Sequence, residues 1–164
     1  MTSVIKVDQI QNAAGGTPTA GDLGLNVSGS VLQVVNKYSD NKVSTGSTSI
    51  VVLDTLSVTP KATGSNFAVQ FFLQGNWTNY NHGFGAFMYR DGSEICRSGN
   101  RHSVYTNTLT DAYLGGAWNF IDNTGSTAGT AISFQLRAQP YSANTLHFSN
   151  AGQTRGFIIT EIAG

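Results

Sequence analysis

The chain has 164 residues, of which only 11% are charged, nine basic against nine acidic, for a formal net charge of zero. That length suits one domain with a short appendage and leaves enough chain to bury a sizeable core. The balance shows neither a basic excess nor a basic stripe, which argues against nucleic acid as a partner.

Polarity is carried by Ser, Thr, Asn and Gln, and 19 glycines punctuate the sequence. A helical protein would be richer in Ala, Leu, Glu and Lys, so the composition points to β structure. The single cysteine, Cys96, permits no intrachain disulfide and reads as a small buried hydrophobe. The opening MTSVIK lacks the charged start and long apolar run of a secretory signal. No window approaches the ~18 consecutive apolar residues of a spanning helix. The expectation is a protein made in a cytoplasm, with no membrane insertion.

In chain order, residues 1–12 alternate in part and suggest one strand without a neighbouring hairpin partner. Residues 13–24, AAGGTPTAGDLG, read as a Gly-rich arm. The first domain is therefore an attachment arm over 1–24, in which Val4, Ile5, Val7 and Ile10 would make the contact; the second is a head over 25–164. Ser30 to Asn36 predicts a strand apolar on both faces, and Lys37 to Ser47 a polar loop. Thr48 to Val58 predicts a strand broken by Asp54 and ended by Pro60. Phe67 to Gln74 follows as a strand, then Gly75 to His82 as a polar-aromatic loop. Further strands are expected at Asp111 to Ile121, Ile132 to Gln139, Leu146 to Ser149 and Gly156 to Ile162. The segment from Asn100 to Thr110 is largely polar, with Val104 and Tyr105 in it.

Gly83 to Gly99 predicts a hairpin closed at Asp91-Gly92, a pair that tolerates the left-handed backbone of a tight turn. That turn sets Tyr89 against Glu94, Met88 against Ile95 and Phe87 against Cys96. Both faces of the hairpin are then apolar, so both need cover, one of them from another subunit.

Short strands at regular spacing with no helical period are the pattern of an all-β antiparallel sandwich of jelly-roll type; an up-and-down barrel with a ligand cavity is the alternative. In a jelly roll the first and last strands can lie side by side. Here those are SVLQVVN and GFIITEI, both two-sided. The outward face of their sheet would then be apolar and would meet a partner, as in a homotrimer closed about a threefold axis.

No catalytic signature is present, whether a nucleophile elbow, a zinc-protease helix, a phosphate-cradling loop or a cysteine pair. The expectation is a protein that is not an enzyme and needs no cofactor or metal. Asp91 suits its turn better than acid–base chemistry, and Asp54, Asp111 and Asp122 read as strand ends and loops. His82, His102 and His147 have no ligand spacing. Trp77, Tyr80 and His82 form the candidate receptor site, with Tyr105 and Tyr141 as further members. Flat rings flanked by Asn amides suit sugar recognition. The opposing reading is that Trp77 folds back to cap the end of the sandwich.

IKVDQIQNAAGGTPTAGDLGLNVSGSVLQVV at the start, YRDGSEI in the middle and GFIITEIAG at the end resemble motifs of tail-fibre proteins from marine and freshwater phages, including cyanophages. The resemblance implies a homotrimeric fibre with a jelly-roll-like head, and an N-terminal arm mounted on phage baseplate or tail proteins. It implies a virion component whose loops contact host surface polysaccharide or an outer-membrane receptor. A structural baseplate or fibre-network adaptor without host contact is the second reading, and a lipocalin-like monomeric carrier the third.

Overall fold

The computed structural model describes residues 28–77, 81–99, 103–107, 112–149 and 152–164. The arm, with Val4, Ile5, Val7 and Ile10, lies outside the described residues, as do Tyr80 and His102.

The described strands are β1 (Val31–Ser39), β2 (Val43–Thr45), β3 (Val51–Val58), β4 (Asn66–Trp77), β5 (His82–Arg90), β6 (Ser93–Arg97), β7 (Val104–Thr106), β8 (Ala112–Asp122), β9 (Ile132–Pro140), β10 (Leu146–Phe148) and β11 (Arg155–Ile162). Every pairing is antiparallel. Three pairs of these strands are single rows cut in two. β11 and β10 pair in succession with β4, β1 and β2 pair in succession with that row, and β7 and β6 pair in succession with β5. Eight rows remain. One sheet runs β1/β2, β11/β10, β4, β8, and the other runs β3, β9, β5, β6/β7.

Numbered along the chain, the rows stand 1-8-3-6 in one sheet and 2-7-4-5 in the other. This is the jelly roll, with first and last rows adjacent as the two-sided strands suggested. The up-and-down barrel is thereby excluded, since apart from the β5–β6 hairpin successive rows change sheet instead of lying side by side.

The core lies between the sheets. Ile132, Phe134, Leu136 and Ala138 point inward from β9, and Phe67, Val69, Phe71 and Leu73 from β4, all at most 4% exposed. Phe67 meets Phe134 edge-on at 5.5 Å, and Phe84 meets Phe148 at 5.3 Å.

The breaks in β1/β2 and β11/β10 lie side by side, because Ser39 pairs Arg155 and Val43 pairs Phe148. Arg155 fills the gap. Its guanidinium, 2% exposed, donates to Asp54 Oδ2 at 2.6 Å, Ser149 Oγ at 2.9 Å, the Asn41 carbonyl at 2.5 Å and the Leu53 carbonyl at 3.1 Å. Asp54 belongs to the opposite sheet, so the pair ties the two sheets together. A buried charge without such partners would cost several kcal/mol. Asp54 is thus a buried mid-strand residue, where the sequence suggested a break: a bulge between Val52 and Asp54 turns both Leu53 and Asp54 inward.

Three further expectations are corrected. The loop expected over 37–47 is mostly strand, because β1 continues to Ser39 and β2 finds β10 as partner. The loop expected over 75–82 is short, because β4 runs through Trp77 and β5 begins at His82. A bulge at Ile95 shifts the hairpin register, so Met88 faces Cys96 and Phe87 faces Arg97. The turn itself is as expected, with φ of 48° at Asp91 and 83° at Gly92.

The shifted register changes what covers the hairpin. Phe87 is 2% exposed within the single chain. The Arg97 guanidinium lies 5.7 Å from its ring, and that of Arg137 lies 3.9 Å from the Tyr89 ring. The chain's own arginine stems and planes shield this face, so no second subunit is needed there.

Candidate functional site

The sandwich has two loop-bearing ends of different character. At the first end, the chain enters and leaves: the Gly29 N–H donates to the Ala163 carbonyl at 2.8 Å, and the Ala163 N–H to the Ser30 carbonyl at 2.8 Å. The 59–65 and 123–131 loops and the Asp91-Gly92 turn gather around it.

Glu161 organises this end. It is fully buried and accepts from the Lys61 N–H (2.8 Å), the Ala62 N–H (3.1 Å), Ser65 Oγ (2.7 Å) and Gln33 Nε2 (2.6 Å). Burial pushes its carboxyl up, but these donors outweigh burial and hold it below the usual carboxylate range. Beside it, Arg90 donates to Asp122 Oδ2 at 2.8 Å, to Thr124 Oγ1 and to the Gly125 carbonyl. Asp91 Oδ1 accepts from the Ser133 N–H at 2.8 Å. A groove of about 510 Å³ runs between the loops, lined by Thr63, Arg90, Asp91, Thr127 and Thr130 among others. Most of its polar side chains are already spent on loop contacts: Ser126 Oγ donates to the Ala62 carbonyl, and Thr63 Oγ1 accepts from the Ala128 N–H. The sequence reading missed this groove; only the turn composition of TGSN and NTGSTAG hinted at loops there.

The other end holds the sequence-selected aromatics. β5 begins at His82 and pairs with β7, which sets Gly83 against Tyr105. The contact is close: a Cβ on Gly83 would run into the Val104 carbonyl oxygen and lie 2.9 Å from the Tyr105 Cα. The Tyr141 N–H donates to the Gly83 carbonyl at 2.8 Å. These two constraints bring Tyr105 and Tyr141 together, ring centroids 5.0 Å apart and edge to face. Tyr105, 37% exposed, donates its hydroxyl to Asn81 Oδ1 at 3.2 Å, and Asn81 itself has a φ of 54°.

Trp77 and His82 lie beneath, both at 0% exposure, with ring centroids 6.0 Å apart. They are core residues and cannot meet a ligand from solvent; Trp77 does cap the sandwich end. The physical reason is that both sit in strands with inward phase, not in the loop the sequence suggested. Burial lowers the pKa of His82, and Ser142 Oγ lies 3.4 Å from its Nδ1. Of the candidate receptor residues described, Tyr105 and Tyr141 are thus surface groups, and Trp77 and His82 form their floor. His147 is elsewhere, its Nδ1 2.7 Å from Ser44 Oγ. Among the described residues no cluster of His, Cys, Asp and Glu is arranged to hold a metal.

No protein-family model matches the chain, and no curated protein matches it. Among solved structures, it is similar to dimeric latent PorU from Porphyromonas gingivalis, with 11% identity over 84% of this chain and 13% of that one, at a TM-score of 0.48. It is also similar to infectious bursal disease virus, at 12% identity over 80% of this chain and 40% of the viral one for the Gx strain, TM-score 0.38. The Gt strain gives 14% identity over 82% and 41%, TM-score 0.34. The chain therefore spans well under half the length of these proteins, and likenesses this distant carry no functional weight.

Proposed function

We propose that the chain is a virion attachment protein of the phage tail-fibre kind, acting by binding and not by turnover. Residues 1–24 hold it to a baseplate or tail protein, and the jelly-roll head meets the bacterial surface, with polysaccharide as the ligand class. The head works as a homotrimer, so that weak contacts at each copy multiply by avidity.

The observation that supports this reading is polarity. The chain enters β1 at one end of the sandwich, while the paired Tyr105 and Tyr141 rings occupy the opposite end. A protein anchored by its N-terminal segment would present those rings outward. Tyrosine rings with a neighbouring amide, here Asn81, offer a flat apolar face and a polar rim for a sugar.

The test is adsorption. Labelled protein is applied to a panel of cyanobacterial and other aquatic bacterial strains. On a strain that takes up label, the Tyr105→Ala/Tyr141→Ala double variant is expected to bind at least about tenfold more weakly, the loss of roughly 1.4 kcal/mol in stacking contacts, with its unfolding transition intact. Equal labelling by the variant would remove this site. Labelling of purified tails but of no cells would favour the adaptor reading.

A further inference from the structure

We propose that the outer face of the β3-β9-β5-β6 sheet carries a second saccharide subsite, centred on Arg137, that holds the carboxylate of a uronic-acid residue in an acidic polysaccharide. The ligand class rests on the reading of the head as a polysaccharide binder; the location does not depend on the tyrosine pair.

Register builds the site. β9 buries Phe134, Leu136 and Ala138, so Gln135 and Arg137 face outward. Across the sheet, Arg137 stands between Val52 of β3 and Phe87 of β5, with Arg97 of β6 beyond Phe87. Beside that line runs a second, of Thr55, Gln135, Tyr89 and Glu94. The Arg137 guanidinium is fixed from two directions. It lies 3.9 Å from the centroid of the Tyr89 ring, and its Nε, at 3.0 Å, and Nη2 both donate to Gln135 Oε1. A guanidinium held in this way has already lost the freedom that binding would otherwise cost.

What it lacks is an anion. Each of the other described arginines faces a carboxylate: Arg90 meets Asp122 at 2.8 Å, Arg97 meets Glu94 at 2.5 Å and Arg155 meets Asp54 at 2.6 Å. Arg137 has none among the described residues, because Glu94, the carboxylate of this face, is taken by Arg97 and by the Tyr89 hydroxyl. Of the five N–H groups of a guanidinium, Gln135 uses two. The parallel pair along the Nη1–Nη2 edge is left over, and that pair bonds a carboxylate in its own plane.

The surroundings select the kind of anion. Nucleic acids and anionic membranes are held by several cations at once, and here one guanidinium is uncompensated with Glu94 on the same face. One cation suits a polymer that carries one carboxylate per residue. Val52, 48% exposed, offers an apolar patch beside the fork for a sugar ring face. Gln139 spends its Nε2 on the Thr48 carbonyl and keeps its Oε1 for a hydroxyl, while Gln135 keeps its Nε2 as a donor. Four residues of extended chain, roughly 13 Å, separate Arg137 from Tyr141, so one polysaccharide can touch both sites.

The experiment is calorimetric titration of the full chain, at low ionic strength, with trigalacturonate and trimannuronate and with their carboxyl-reduced neutral forms. Saturable binding of at least one uronate trimer is expected, with the neutral form at least about tenfold weaker. Arg137→Gln is expected to weaken the uronate by at least about tenfold, and Arg137→Lys, which keeps the charge but not the fork, by at least about fivefold. Should Arg137→Gln fail to fold, Val52→Glu reads the same contact from an exposed position: its carboxylate would pair with Arg137 and displace the ligand. Lys61→Gln, an exposed cation in the 59–65 loop, is expected to bind as the wild type does. No saturable binding of either trimer overturns the proposal, as does undiminished binding by the Arg137→Gln or Val52→Glu chain. Sulfated maltotriose bound as tightly as the uronates overturns the carboxylate assignment. Either failure, beside a persisting cell-adsorption defect of the Tyr105→Ala/Tyr141→Ala chain, strikes the Arg137 site alone and leaves the attachment reading standing.

Discussion

Glu161 and Arg155 show how much a single charge does in a chain with so few. Each lies in β11 within an otherwise apolar run, and each is satisfied by groups distant in sequence. Glu161 holds the 59–65 loop through two backbone N–H groups, a hydroxyl and the Gln33 amide. Its carboxyl titrates lower in the folded chain than in the unfolded one, so the unfolded state takes up the proton first as pH falls. The stability it contributes is complete above its unfolded pKa of about 4.3 and is lost as pH drops through the lower folded value. Glu161→Gln is therefore expected to be less stable than wild type at pH 7, by about 2 kcal/mol for the lost charge-assisted bonds. Below about pH 4.3 its stability should be flatter with pH than that of the wild type. Urea midpoints at pH 7, 4 and 3 check this; parallel pH profiles for the two proteins would contradict it. Neither the phase of this residue nor its partners were legible in the sequence, because GFIITEI is apolar on both faces and nothing local to β11 announces that loop 59–65 will arrive there.

At the level of elements, the strands themselves were readable wherever one face is apolar and the other polar. β9 is the clearest, with Ile132, Phe134, Leu136 and Ala138 buried and Ser133, Gln135, Arg137 and Gln139 between them. Of the three-residue strands only β10 was readable. β2 and β7 have three residues each and exist because β10 and β5 offer them hydrogen-bond partners. The close β5–β7 approach depends on Gly83. Gly83→Ala would set a methyl against the Val104 carbonyl and the Tyr105 backbone. Backbone cannot swing aside as a side chain can, so β7 should lift from β5. The expected cost is about 1–3 kcal/mol, the usual range for overpacking, with faster amide exchange at Val104 to Thr106. Unchanged exchange in that strand would contradict this. The Tyr105–Tyr141 pair rests on the same contact, so this glycine positions the candidate site without touching a ligand.

For the molecule as a whole, chain order and spatial order diverge. β11, the last strand, lies between β1 and β4. Long-range pairings of this kind carry a loop-closure cost that is recovered only when the last row docks. A chain truncated after residue 154 is therefore expected to lose cooperative unfolding altogether, not merely some stability, because β1 loses its pairing partner and β4 one of its two long neighbours. A sharp denaturation transition with native circular dichroism in that truncated chain would refute this. The sequence by itself determined an antiparallel all-β fold, the Asp91-Gly92 turn and the inward phase of one-sided strands such as β9. These follow from local backbone preference and from the period-two separation of apolar and polar side chains, which neighbouring residues encode. Only the tertiary structure decided that Trp77 and His82 are floor and Tyr105 and Tyr141 surface. It alone showed that arginine planes cover the outer face of the hairpin. Burial of a given ring depends on what distant strands place over it, and that is a property of three-dimensional packing, not of sequence neighbours.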